Sequence, residues 1–373
     1  SRFLTQGNSV LKFEKNLAKY VGAKYAVAVS SCTAGMHIAC KALGFDKNST
    51  LLTSVISFVS SANVGHFLNG KVDFLDIDPK TINMDVDKLK KKLKYLKPKI
   101  VIPVHMGGYP CDVKKIRNLS KKYNFKIIED AAHALGSTYN TKGKKIMVGS
   151  CKYSDATVFS FHPVKTITTG EGGVITTNSK DIYLKLLRLR SHGINKLNDK
   201  PLNKKNAYTK NKLNPWYYEM RELGYHYRIT DIQCALGLGQ LKKINLFLEK
   251  RKKIALKYDQ AFKDIKNIEC YQGFNRNRNS NHLYIIKIDF KKINKSRSDL
   301  MNYLQTKNII TQVHYIPIVM HPFYQKLGFK INNYPEAKRY YEKCLSIPNY
   351  YRLTKKKQLY VIEIIKKFLV KKK

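Results

Sequence analysis

The chain has 373 residues, of which 43% are hydrophobic and 11% aromatic; that is enough for two domains with substantial cores and excludes disorder as the default. Seventy Lys and Arg against 26 Asp and Glu give a formal net charge of +44. Basic pairs and triplets recur along the whole length (90–92, 121–122, 144–145, 252–253, 355–357, 371–373) with no single arm, which argues for lysine-rich solvated faces over a dedicated nucleic-acid surface.

No run approaches the ~20 apolar residues a membrane-spanning helix needs. Seven cysteines, with no CxxC pair and no zinc-site spacing, fit a reducing cytoplasm, and no metal site is expected. The chain opens at Ser1 without a methionine, so a natural N-terminus upstream is expected and no signal peptide can be judged.

In chain order, nearly continuous apolar segments predict strands at Tyr25–Val29, Leu51–Val55, Val72–Ile77, Ile100–Val104, Lys126–Glu129, Ala156–Phe161 and Gly173–Thr177, as for strands buried on both faces. Helical patterns at 33–43, 112–123 and 181–191 lie between them. This is the rhythm of an α/β domain with a mostly parallel sheet. A polar stretch at 195–222, holding the only Trp, reads as a long surface loop, and 229–262 reads as one long helix bridging to a second domain. From about 263, strand-like segments (283–289, 309–313) mix with helices (297–306, 335–344, 354–369). The expected division is a large α/β domain over 1–250 and a smaller α+β domain over 251–373.

Four segments carry chemistry. In FSFHPVKTITTGEGG (159–173), one lysine, Lys165, follows a buried strand; desolvation there lowers an amine's pKa and opens Schiff-base chemistry, although most lysines of so basic a chain are simply solvated. In FKIIEDAAHALG (125–136) a buried strand ends in two carboxylates where ligands collect in open α/β sheets. Asp130 there either faces a cationic ring nitrogen or caps a helix, and His133 follows one turn on. In SSCTAGMHIACKALG (30–44) a strand gives way through small residues to a helix, an anion site or an ordinary N-cap. In SFVSSAN (57–63), Phe58 is either core or an aromatic platform.

The string EDAAHALG, then GKKIMVGS, then FSFHPVKTITTGEGGVITTN, resembles the DegT/DnrJ/EryC1/StrS family of sugar aminotransferases. The resemblance extends through LTQG, SSCTAGMHIA, VISFVSSANV, DIDPKTINMD, IPVHMGGYPCD, LRSHGI, ELGYHYRITDIQCALGLGQL, SNHLY and QVHYIPI, practically the whole chain. It implies the fold type I of pyridoxal 5'-phosphate-dependent transferases, like aspartate aminotransferase. HPVK with ITTGEGG, SNHLY and QVHY look most like members that aminate C4 of a UDP-linked 4-keto-6-deoxy-N-acetylhexosamine in pseudaminic acid biosynthesis.

Carried over by residue, the resemblance implies that Lys165 bonds pyridoxal phosphate covalently, Asp130 bonds its ring nitrogen, Phe58 stacks on the ring and His133 lies beside it. Thr33, Ala34 and Ser160 fall at phosphate-binding positions. Family dimers share their sites, so a homodimer is implied; His226 stands in GYHYR where the family has an Asn that reaches the partner's phosphate. Arg2, Thr5, His314 and Tyr315 are implied for the sugar nucleotide, with His162 as a further substrate-side candidate, and L-glutamate as amino donor. The rivals are an aminotransferase for another NDP-keto sugar at C3 or C4, a 3-dehydratase of the same fold, which would carry His in place of Lys165, and a DNA-binding regulator, motivated by charge alone.

Overall fold

A computed structural model describes residues 4–139, 143–195, 200–272 and 275–370. Seven strands form the main sheet: β1 (Tyr25–Val29), β2 (Thr50–Ser54), β3 (Lys71–Leu75), β4 (Ile100–Ile102), β5 (Lys126–Asp130), β6 (Ala156–Ser160) and β7 (Gly173–Thr177). Their spatial order is β1-β7-β6-β5-β4-β2-β3. Only β7 runs against the others, antiparallel to both β1 and β6, so the sheet is mostly parallel as expected. Apolar clusters cover both faces, which is why these strands read as continuous hydrophobic runs.

Helix α2 (Cys32–Ala42) lies on one face and is buried along most of its length; the Ser31 hydroxyl caps it by accepting the Ala34 N–H at 3.0 Å. Gly35 lets it sit close, since a Cβ there would meet Val158 Cγ1 of β6 at 2.8 Å. At Gly173, the first residue of β7, a Cβ would lie 2.7 Å from the Ser31 carbonyl and the Cys32 nitrogen. The missing side chain therefore brings the start of β7 against the start of α2.

Helix α1 (Asn8–Val21) was absent from the sequence expectation. Its first N–H groups, those of Gly7 and Ser9, are accepted by Asp231 at 2.5 and 2.7 Å, a cap from more than 200 residues away that no local signal announces. Helix α3 (Ser60–Phe67) was also missed. The bridge at 229–262 is two helices, Asp231–Leu241 and Ile244–Phe262, broken at the exposed pair Lys242 and Lys243.

The second helix changes neighbours along its length. Ile244, Phe247 and Leu248 pack with the main sheet's core, whereas Ile254, Ala255, Tyr258 and Phe262 pack beneath an antiparallel sheet of Ile268–Cys270, Tyr284–Ile288 and Cys344–Ile347. The segment 309–313 is not a strand; it makes a single bridge from Gln312 to Ser346. Of the expected loop at 195–222, residues 196–199 lie outside the described residues, and the rest holds a one-turn helix and two-residue strands.

Replacing Gly173 by Ala places a methyl group into backbone that has no room to yield. The expected outcome is a loss of roughly 1–3 kcal/mol of stability, read as a lower melting temperature of the purified protein.

Candidate active site

Side chains alternate along a strand, so the two carboxylates at the end of β5 point to opposite faces. Glu129 is fully buried on one face and accepts from His105 Nε2 at 2.8 Å, from Thr157 at 2.9 Å, and from the hydroxyls of Tyr139 and Ser154. The Cys111 N–H donates to His105 Nδ1 at 2.9 Å, so the ring proton sits on Nε2 and points at Glu129. These donors hold the carboxyl below its usual range against the upward push of burial. This network braces the sheet from behind.

Asp130 faces the other way and is 4% exposed. Its Oδ2 accepts the Ser61 hydroxyl at 2.6 Å and its Oδ1 the Ala132 N–H at 3.0 Å. The residues after it form turns rather than a helix, so the N-cap alternative falls. Across a cavity of about 320 Å³ lies Lys165. It belongs to a loop that leaves β6 and closes on itself through Lys165 N–H to His162 O (2.9 Å) and Thr169 N–H to Phe161 O (3.0 Å). Burial lowers the Lys165 pKa, partly offset by Cys32 and Asp130. Among the described residues its ammonium has neither hydrogen-bond nor ion-pair partner.

The cavity brings together most of the expected residues: Thr33, Phe58, Asp130, His133, Ser160, His162, Lys165 and Tyr315 all line it. Phe58 is 57% exposed, which removes its core alternative. His133 is buried; its Nδ1 accepts the Gly107 N–H at 3.3 Å, so Nε2 donates to the Tyr315 hydroxyl at 3.1 Å. Burial, then the charge of Lys165, holds His133 well below the usual imidazole range. The same two causes lower His314 to about 4. His314 stands behind the lining, bonded through Nδ1 to Ser346 at 2.9 Å.

Like His314, the expected residues Ala34, Thr5 and His226 are not brought into the cavity lining. The Ala34 N–H is taken by the Ser31 cap, so of the three expected phosphate positions Thr33 and Ser160 line the cavity. Thr5 bridges Thr230 and His226 bridges Ser191, both exposed and outside the lining. Arg2 lies outside the described residues. Sequence reasoning missed Ser57, Ser61, Cys32 and Glu171 as contributors; Ser57 and Ser61 lay inside a quoted motif, but nothing local told which hydroxyl would meet Asp130.

The site suits a phosphorylated, carbonyl-bearing heterocycle of modest size. An amine with a lowered pKa meets a carbonyl, a braced carboxylate meets a ring N–H, and a helix start meets a phosphate.

Residues 1–366 match the model of the DegT/DnrJ/EryC1/StrS aminotransferase family. The chain belongs to this family. The aminotransferase is 38% identical over 372 residues to the UDP-4-amino-4,6-dideoxy-N-acetyl-beta-L-altrosamine transaminase of Campylobacter jejuni serotype O:23/36, covering 99% of this chain and 92% of that protein. It is 39% identical over 352 residues to the spore coat polysaccharide biosynthesis protein SpsC of Bacillus subtilis, covering 94% and 87%.

Among solved structures, Helicobacter pylori PseC, an aminotransferase involved in the biosynthesis of pseudoaminic acid, superposes with a TM-score of 0.86 at 31% identity, covering 99% of this chain and 93% of that one. The fold is that of the fold type I transferases, and the cofactor of the aminotransferase is pyridoxal phosphate. No helix among the described residues is long and apolar enough to cross a membrane.

Two outcomes follow from this geometry. Borohydride reduction of the aminotransferase incubated with pyridoxal phosphate, followed by peptide mass spectrometry, is expected to find the modification at Lys165 and to lose it in Lys165→Ala. The second concerns acid. His37, His133, His282 and His314 all have pKa values lowered from 6.5, His37 and His314 to about 4. Unfolded imidazoles bind protons that the buried ones refuse, so stability is present above pH 6.5 and is lost as pH falls toward 4. Melting temperatures recorded across that window should decline, and a flat profile would contradict the burial of these rings.

Proposed function

We propose that this aminotransferase moves an amino group from L-glutamate to C4 of a UDP-linked 4-keto-6-deoxy-N-acetylhexosamine, on a route to a pseudaminic-type or other surface glycan. The observation that carries the sugar assignment is the 38% identity, over 99% of the chain, with the Campylobacter enzyme named for that class of UDP-sugar. Pyridoxal phosphate, when bound, supplies an electron sink next to the carbon that gains or loses the amino group.

The chain's own residues do the rest. Lys165 would hold the cofactor covalently through Nζ. The free Nζ would be the group that accepts and returns a proton at the reacting carbon, a task suited to an amine whose pKa burial has lowered. Asp130 would take the ring N–H, Thr33 and Ser160 would hold the phosphate, and Phe58 would lie against the ring. His133 and Tyr315 form the far wall as a neutral hydrogen-bonded pair. His162 and Glu171 stand partly exposed in the lining, 3.8 Å apart, where a sugar nucleotide would enter.

A homodimer completes this reading, with His226 reaching the neighbour's phosphate and Arg2, Thr5 and His314 serving the sugar nucleotide. The exposure of Leu4, Leu11, Ile232, Leu236 and Trp216 supports such an association. The division between large and small domains then falls near residue 250, inside the helix that changes neighbours.

A second reading, amination of a GDP-linked keto sugar, is favoured by 30% identity over 365 residues with the GDP-perosamine synthase of Escherichia coli O157:H7. The presence of Lys165 speaks against a dehydratase.

One experiment separates these readings. The pyridoxamine-loaded protein is titrated with UDP-, GDP- and dTDP-linked 4-keto sugars and 3-keto counterparts, and the cofactor absorbance is followed. The UDP-linked 4-keto N-acetyl sugar is expected to convert the cofactor fastest. Conversion by the GDP sugar alone would install the second reading, and conversion by none would remove both. Lys165→Ala should slow the reaction by at least about a thousandfold, the combined loss of covalent and proton-transfer roles.

A further inference from the structure

Behind the cavity lining, the turn out of β2 and helix α3 form an apolar layer in which Val55, Ile56, Ala62 and Val64 are fully buried. Within it lie two hydroxyls that are almost as buried, Ser57 (1% exposed) and Ser61 (0%). Burying hydroxyls costs free energy unless they are hydrogen-bonded, so where their bonds go is informative. The Ser61 hydroxyl has one proton, and it goes to Asp130 Oδ2 at 2.6 Å. In the 2.7 Å contact between Ser57 and Ser61, Ser57 is therefore the donor. The chain of donation runs one way, from Ser57 to Ser61 to Asp130.

The backbone makes the arrangement rigid. Ser61 sits in the first turn of α3, whose start is held by Ser61 N–H to Phe58 O and Ala62 N–H to Val59 O, at 3.3 and 3.1 Å. Ser57 precedes it by four residues, on the turn out of β2. Asp130 Oδ1 is fixed separately by the Ala132 N–H. Asp130 thus has one oxygen tied to its own turn and the other tied to α3, with both carboxylate oxygens already accepting. Its plane is set before any ligand arrives.

We propose that Ser61, aimed by Ser57, is a positioning residue for the reaction: it fixes the Asp130 carboxylate in the orientation that receives the ring N–H of the cofactor. This rests on the reading above that Asp130 faces the ring nitrogen. Ser61 does not touch the cofactor in this account. It acts only through Asp130, so its contribution exists only when the ligand ring carries a nitrogen there.

That dependence supplies the test. Apoprotein of the full chain is titrated with pyridoxal 5'-phosphate and with the analogue in which carbon replaces the ring nitrogen, and dissociation constants are read from the fluorescence of the only tryptophan, Trp216, or from absorbance. Ser61→Ala is expected to weaken binding of pyridoxal phosphate about tenfold, as for loss of a hydrogen bond to a charged group, and to leave the analogue's affinity nearly unchanged. Ser61→Thr, which keeps the hydroxyl, should restore wild-type affinity, and Ser57→Ala should show a smaller effect with the same dependence on the ring nitrogen.

Equal weakening for both ligands, as a merely structural hydroxyl would give, overturns the inference; so does no weakening for either. If Ser61→Ala does not fold, the Ser57→Ala comparison decides on the same criterion. A wild-type protein that binds pyridoxal phosphate no better than its carbon analogue would instead remove the assigned role of Asp130, and this inference with it.

Discussion

Two carboxylates stand side by side at the end of one buried strand, and neither can be left without donors in a dry interior. Glu129 meets this requirement behind the sheet through His105, Tyr139, Ser154 and Thr157. Asp130 meets it in front through Ser61 and Ala132, with capacity left toward the cavity. The strands β4, β5 and β6, the turn after β2 and the start of α3 all have their positions tied to these two groups. A shift of one residue in β5 would exchange the two faces and place both carboxylates among the wrong donors.

The second constraint is the approach of β7 to the start of α2. Because β7 is the one reversed strand, it enters the sheet beside the C-terminal ends of its parallel neighbours, and its glycine start lets it pack directly against the backbone that begins α2. The lysine loop between β6 and β7 is short enough to close on itself. Lys165 is thereby aimed back over the sheet at Asp130 rather than outward to solvent. The chemistry is thus a product of strand direction as much as of residue type.

The electrostatics of the cavity run opposite to the chain's bulk charge. Although the protein is strongly basic, the cations on its surface contribute little inside, where burial lowers the pKa values of Lys165, His133 and His314. His133 and Tyr315 form a wall that stays uncharged near neutrality.

The seven strands were legible because strands buried on both faces must be apolar, and Lys165, Asp130, Phe58 and His133 could be singled out as candidates because their motifs are local, although only the fold brings them to one cavity. Family membership followed from the same short strings, and no longer-range information was needed for it. What remained hidden depended on partners far apart in the chain: the Asp231 cap that starts α1 and the choice of Ser61 among several serines as the donor to Asp130. The sequence also left open whether Asp130 capped a helix and whether Phe58 was core. Tertiary structure decided both, since it alone determines whether a helix follows β5 and which side chains a cavity leaves uncovered.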